Sequence, residues 1–366
     1  MNDRTRALLA VGLTVALFLS VQLGALALVE PFYEGGHQSV EDPDDPTNSL
    51  VYFGIILVAT ALMLVTIRYD VEWLIKAMII AVSVMISWYV FDELVPSVVT
   101  VGSVNVVAAA AAVAVGGALL LYPEWYVIDL TGVVMGAGAA ALFGISFGLL
   151  PALLLLTVLA VYDAISVYGT EHMLDLAEGV MALKIPVVLV VPTTLSFSYL
   201  DPESTEGVVD GHEESDTGSD VSSGTDASNS ASDPSPTADS STDGGPRPDD
   251  ASAESDADAT PETDAGDALE RDALFIGLGD AVIPTVLVAS AAYFLEVGTL
   301  DVPGISLNVP ALGALIGTIA GLLVLMHMVL KGRPHAGLPL LNGGAIAGYL
   351  VGALASGLSL ATALGL

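Results

Sequence analysis

Residues 149–170, LLPALLLLTVLAVYDAISVYGT, and residues 273–295, ALFIGLGDAVIPTVLVASAAYFL, are two apolar segments that each carry one acid, Asp163 and Asp280. A carboxylate inside lipid costs about 2.5–3.5 kcal/mol even on the mildest insertion scales, so a retained intramembrane acid points to function. Asp163 lies six residues before the end of its segment at Gly169, and Asp280 seven residues after the start of its own at Ala273. At a rise of about 1.5 Å per residue, both acids sit roughly 10 Å from one membrane face. The segments run in opposite directions from that face. The sequence therefore predicts an antiparallel helical hairpin with its acids level, and the two acids as a catalytic dyad.

The rest of the chain fits a membrane setting. Of its 366 residues 54% are hydrophobic, and the mean hydropathy is +0.73. Several stretches exceed the ~18 apolar residues that a spanning helix needs. The net charge of −33, from 42 acids against 9 bases, excludes the basic footprint of a nucleic-acid binder. There is no cysteine, which excludes disulfides, thiol nucleophiles and cysteine–metal sites. The acid excess fits a salt-accumulating halophile, and residues 201–272 alone supply 22 of the 42 acids.

Nine apolar spans are expected, at 8–29, 50–67, from the turn at 68–76 to 91, and at 98–121, 125–145, 149–168, 273–294, 311–330 and 338–366. The first lacks a small-residue cleavage site, so it reads as an uncleaved helix and not a signal peptide. Residues 171–181 carry apolar side chains at helical spacing and read as an interfacial amphipathic helix. Residues 187–200 are β-branched, short and flanked by prolines, and read as a strand or surface segment. Residues 201–272 are Ser, Asp, Gly, Thr and Pro with almost no large apolar residue, the composition of a disordered loop. Three regions result: 1–200 with six spans and the interfacial segment, the acidic loop 201–272, and 273–366 with three spans. On this plan all nine Lys and Arg residues fall on one side of the membrane. The positive-inside rule makes that side cytoplasmic, with the N-terminus and the acidic loop inside and the C-terminus outside.

Two carboxyls a few ångströms apart cannot both ionise cheaply, so the pair shares one proton. The ionised member can activate a water while the protonated member polarises a carbonyl. That is peptide hydrolysis of the aspartic type, with no metal and no cofactor. Gly277 and Gly279 bracket Leu278 just before Asp280, and small residues admit a close backbone, either a facing helix or an extended substrate. Pro284, one turn on, frees a backbone group. A third feature, Leu338-Pro339-Leu340-Leu341, opens the last span. Asp129 lies four residues into the fifth span, where it is expected to snorkel to water, and Gly132 and Gly136 in that span read as helix packing.

Tyr162-Asp163, Gly277-Leu278-Gly279-Asp280 and Pro339-Leu340-Leu341 resemble the Tyr-Asp, Gly-x-Gly-Asp and Pro-Ala-Leu motifs of the presenilin and signal-peptide-peptidase family of intramembrane aspartyl proteases. They fall on spans six, seven and nine, as in that family, with Leu340 where the family usually has Ala. The resemblance implies an all-α, nine-span membrane enzyme with Asp163 and Asp280 as the catalytic pair. Tyr162 would neighbour the site, and Pro339, Leu340 and Leu341 would shape it and dock substrate. The N-inside orientation resembles the presenilin branch, of the archaeal type. The implied substrate is a transmembrane helix of another protein, locally unwound. Its freed backbone groups need partners, which an enzyme strand at 187–200 or just before Ala273 could supply. Nothing in the chain requires partner subunits.

Other chemistries fit less well. Ser146 and His327 fall near opposite membrane faces, which disfavours a serine protease. The five histidines, at 37, 172, 212, 327 and 335, lack zinc-ligand spacing. A proton- or cation-coupled transporter using the same buried acids is the main rival. Its usual signature of two related halves is missing here.

Overall fold

A computed structural model describes residues 3–40, 42–69, 72–102, 104–169, 188–193, 198, 273–331 and 336–366. The chain divides into two units, one formed by 1–208 with 263–366 and the other by 209–262; the second lies wholly outside the described residues. So do the expected interfacial helix at 171–181 and the acidic loop at 201–272.

The described residues form ten helices and three two-stranded sheets. In order they are α1 (Asp3–Glu34), α2 (Thr47–Arg68), α3 (Glu72–Leu94), the strands β1 (Thr100–Val101) and β2 (Val104–Asn105), α4 (Val106–Leu121), α5 (Trp125–Ser146) and α6 (Leu149–Gly169). Then come β3 (Val188–Pro192), β4 (Ala273–Gly277) and α7 (Leu278–Phe294), followed by β5 (Thr299–Val302), β6 (Ile305–Asn308), α8 (Val309–Val329), α9 (Gly337–Ala355) and the short α10 (Leu360–Ala363). Six of these helices are long and apolar enough to cross a membrane, and apolar stretches in α2, α4 and α7 are shorter. Large apolar side chains such as Leu50, Val58, Leu62, Trp73, Val113 and Leu121 are exposed. A surface of this kind suits hydrocarbon and not water.

Several expected boundaries move. Residues 98–105 hold the β1–β2 hairpin, turned at Gly102 with φ +68°, and α4 starts only at Val106. Asn105 ends the hairpin and caps α4 by accepting from the N–H of Val107 and Ala108. The last long helix ends at Ala355 rather than running to 366, and Gly357 follows at φ +83°. The largest change concerns the seventh span, whose first five residues form β4; the helix begins at Leu278. Asp280 is thus in the first turn of α7 instead of seven residues deep in a helix. The apolar run ALFIG has no periodicity that separates a strand from a buried helix turn. Its partner decides: β3 pairs antiparallel with β4, Val188 opposite Gly277 through Pro192 opposite Ala273. The strand expected within 187–200 is therefore present at 188–192.

The core that positions α7 has two parts. On one side Leu153, Leu156 and Leu159 of α6 pack with Val286 and Leu287 of α7 and with Ala345 and Tyr349 of α9. On the other, Phe18 of α1, Met135 of α5, Leu189 and Val191 of β3, Ile276 of β4 and Leu278 of α7 join Leu325 of α8 and Leu341 of α9. Among the described residues the pair α8–α9 packs most closely. A Cβ on Gly313, Gly317 or Gly321 would strike the backbone of Gly348, Gly344 or Leu340, and one on Gly352 would lie 2.6 Å from the carbonyl oxygen of Val309. Two glycine rows at four-residue spacing thus bring the backbones into contact, as association in lipid favours.

Candidate active site

Asp163 and Asp280 come from α6 and α7, and both are half-buried. What links them is the start of α9. The backbone N–H of Leu338 donates to Asp163 Oδ2 at 3.1 Å. A Cβ on the preceding Gly337 would lie 3.2 Å from Asp280 Oδ2 and 3.7 Å from its Cγ. The first turn of α9 therefore touches both acids. Its N–H groups lack helical acceptors and carry the positive end of the helix dipole, which suits a pair of carboxyls.

Each element is held at this point by identifiable contacts. Asn342, one turn into α9, donates from Nδ2 to the carbonyl oxygen of Leu156 at 2.9 Å and so ties α9 to α6. α7 is seated on α5 at Gly136, where a Cβ would meet Leu278 Cδ1 at 3.1 Å and Val282 Cγ2 at 3.2 Å. The packing role expected of Gly136 follows from these distances. Pro284 lies inside α7 and has no N–H, so the backbone carbonyl of Asp280 has no donor one turn on. The freed carbonyl belongs to the acid itself.

The glycines before Asp280 differ from one another. Gly277 caps α7 and faces the acid: a Cβ there would lie 3.7 Å from Asp280 Oδ2. Gly279 is exposed, and a Cβ on it would meet only Ile283 Cδ1, at 3.9 Å. No facing helix therefore fills the space beside Gly279 among the described residues. Leu278, between them, is buried against α5. Tyr162 is 37% exposed and sets its ring edge-on to Phe53 of α2, with 5.9 Å between centroids.

In the third motif the backbone of Leu340 and Leu341 lies against Gly321 of α8, and the Leu341 side chain is fully buried. Pro339 is half-buried at the start of the helix. The residues that meet the acids are the two before Pro339, Gly337 and Leu338. Neither was singled out from the sequence for contact with the acids. A glycine followed by a residue before proline, at a helix start, was the available signal.

Asp129 does not snorkel. It is 4% exposed on α5, and its Oδ1 accepts from the backbone N–H of Val190 in β3 at 2.7 Å. β3 packs against α5 there and covers the carboxyl. Among the described residues no group of three or more His, Asp or Glu side chains is arranged to hold a metal ion.

The geometry has counterparts. A family profile described as signal-peptide peptidase, presenilin aspartyl protease matches residues 15–220 and 247–358. A solved structure described as a presenilin family intramembrane aspartate protease, in a C222 crystal form, superposes with a TM-score of 0.57 at 29% identity, covering 94% of this chain and 99% of that one. A second structure with that description, in a P2 form, gives a TM-score of 0.54 at 30% identity, covering 93% and 96%. No curated protein matches the chain.

Proposed function

The chain belongs to the signal-peptide peptidase and presenilin aspartyl protease family, and from that premise we propose that it is an intramembrane aspartic endopeptidase whose catalytic pair is Asp163 and Asp280. The observation that carries the reading is the contact of one helix start with both acids, through the Leu338 N–H and the Gly337 backbone. An arrangement that holds two carboxyls together in an apolar setting favours a shared proton. The ionised carboxylate takes a proton from water as the oxygen attacks the peptide carbonyl carbon. The protonated carboxyl donates to the carbonyl oxygen. Collapse of the gem-diol then breaks the C–N bond, and a proton passes to the leaving amine.

The substrate is a transmembrane helix of another protein, opened locally so that a peptide bond reaches the pair. The open space beside Gly279 suits an approaching extended backbone. The β3–β4 pair runs directly into the helix that bears Asp280 and offers main-chain partners to such a segment. All nine long helices, including the shorter apolar ones, cross the membrane in this reading. The N-terminus and the segment 201–272 are cytoplasmic, and the C-terminus lies outside.

The test is cleavage of a single-pass transmembrane reporter by purified enzyme in detergent or vesicles. Asp163→Ala and Asp280→Ala each abolish product while the protein keeps its folded elution and unfolding midpoint. Cleavage that survives either change would sink the assignment of the pair. An ion flux lost with the same acids, with no proteolysis, would establish transport instead.

A further inference from the structure

We propose that Asp129 is a positioning residue that fixes the β3–β4 pair, and through it the register in which substrate meets Asp280. The proposal rests on the preceding reading, in which an extended substrate segment pairs near this sheet.

The argument starts on one face of α5. Asp129, Gly132 and Gly136 follow one another at helical spacing, and all three are buried. Gly136 admits Leu278 and Val282, which seats the first turn of α7. About two turns away on the same face, Asp129 Oδ1 accepts the N–H of Val190 at the middle of β3. A single helix face therefore sets both the strand pair and the helix start that carries Asp280. Val190 stands directly opposite Phe275 in β4, and β4 passes without a loop into α7.

The carboxyl does one thing more. A backbone N–H that is bonded to Asp129 points away from β4, toward the outer edge of β3. That edge is where a further strand would otherwise add. Asp129 occupies its central donor and closes it, so an extended segment is excluded from β3. Asp129 Oδ2 is buried with no hydrogen-bond partner among the described residues. A buried unpartnered carboxylate oxygen is costly, and simple packing would be met better by an apolar residue. The site retains an acid because its other oxygen holds a strand.

The experiment compares Asp129→Ala with Asp129→Asn on a single-pass transmembrane reporter peptide, with product masses read by mass spectrometry. Asp129→Asn keeps an acceptor for the Val190 N–H. It should cut at the wild-type bond with kcat/KM within roughly threefold, since the retained bond is the larger contribution. Asp129→Ala should lower kcat/KM roughly tenfold, mainly through KM, and spread the cuts over neighbouring bonds. The chain has no cysteine, so Val190→Cys with Phe275→Cys gives a clean disulfide across directly opposed residues. In the Asp129→Ala background, oxidising that pair should restore the single cleavage position, and reducing it should lose it again. This comparison is internal to one protein, so reduced stability of the open variant does not blur it.

Wild-type rate and position in Asp129→Ala would overturn the proposal, and so would a cleavage pattern that ignores the crosslink. Asp163→Ala and Asp280→Ala serve as silent controls. If those controls retain cleavage, the catalytic pair is wrong; if they are silent while Asp129→Ala is normal, only the positioning role fails.

Discussion

Gly337 lies with its backbone against the carboxyl of Asp280, so close that a Cβ would come within 3.2 Å of Oδ2. Its φ is not in the left-handed region, so alanine fits the backbone and only the side chain matters. Gly337→Ala should push the carboxyl by a few tenths of an ångström and lower kcat by roughly tenfold. Gly337→Val should reduce it by about a hundredfold or more, in line with the cost of ångström-scale misplacement. Both variants should unfold near the wild-type temperature. Single-turnover cleavage of a transmembrane reporter checks the pair, and full activity in Gly337→Val would remove this glycine from the site.

The N–H of Leu338 matters, not its side chain. Leu338→Ala keeps the donor to Asp163 Oδ2 and should cleave within about threefold of wild type. Leu338→Pro removes that donor at a helix start, where proline is tolerated. Loss of a hydrogen bond to a charged group, about 1.5–3 kcal/mol, predicts a fall of roughly ten- to a hundredfold. Steady-state kinetics on the two variants decide; equal effects would show that packing dominates.

The proposed pair, holding one proton between two carboxyls, predicts an activity that depends on pH in both directions. At low pH both carboxyls are protonated and no base remains to activate water. At high pH both are ionised and no acid remains to polarise the carbonyl. The profile of kcat/KM should be bell-shaped, and its two limbs belong to the pair and not to either residue. Initial rates across a buffer series test this, and a single rising limb with no fall would contradict it.

Asn308 bears on stability alone. It is 1% exposed; its Nδ2 donates to the carbonyl oxygens of Ala291 and Leu295 at 2.7 Å, and its Oδ1 accepts the Ala311 N–H at 2.8 Å. One side chain thus closes the end of α7 and opens α8. Asn308→Ala strands these groups and should cost about 2–4 kcal/mol, the sum of a lost cap and an unpaired buried acceptor. Denaturation in detergent reads the loss, with the residual folded fraction still cutting at the wild-type bond.

The glycine seam predicts a linked defect. Gly317→Leu places a large side chain where the backbone of Gly344 already sits, so α8 and α9 must part. Overpacking of about 1–3 kcal/mol or more should lower the unfolding midpoint. Because α9 also carries Gly337 and Leu338, activity should fall further than the folded fraction does. An activity loss equal to the unfolded fraction would mean that the helix start holds its place without the seam.

Much of this was legible because lipid punishes acids. Asp163 and Asp280 stand out in apolar runs, and the motifs around them led to the family before any geometry was known. The family match and the similar solved structures support the protease reading and lend none to the transporter reading. The strand ALFIG was missed because apolar residues without alternation fit helix and strand alike, and only its pairing with β3 decides. Asp129 was misplaced because its distance along a helix says nothing about what packs over that end. Gly337 and Leu338 were missed as contacts of the acids because they act through the backbone, which leaves the weakest trace in side-chain identity. The fates of 171–181 and 201–272 lie outside the described residues.

The donor to Asp163 has a consequence for synthesis. A ribosome that has just delivered Asp280 has yet to make α8 and the residue whose N–H reaches the other acid. Until then Asp163 and Asp280 lack the contact that joins them. The helix start that touches both acids is the last long element to be made, so the paired geometry belongs to the whole set of long helices and to no shorter piece of it.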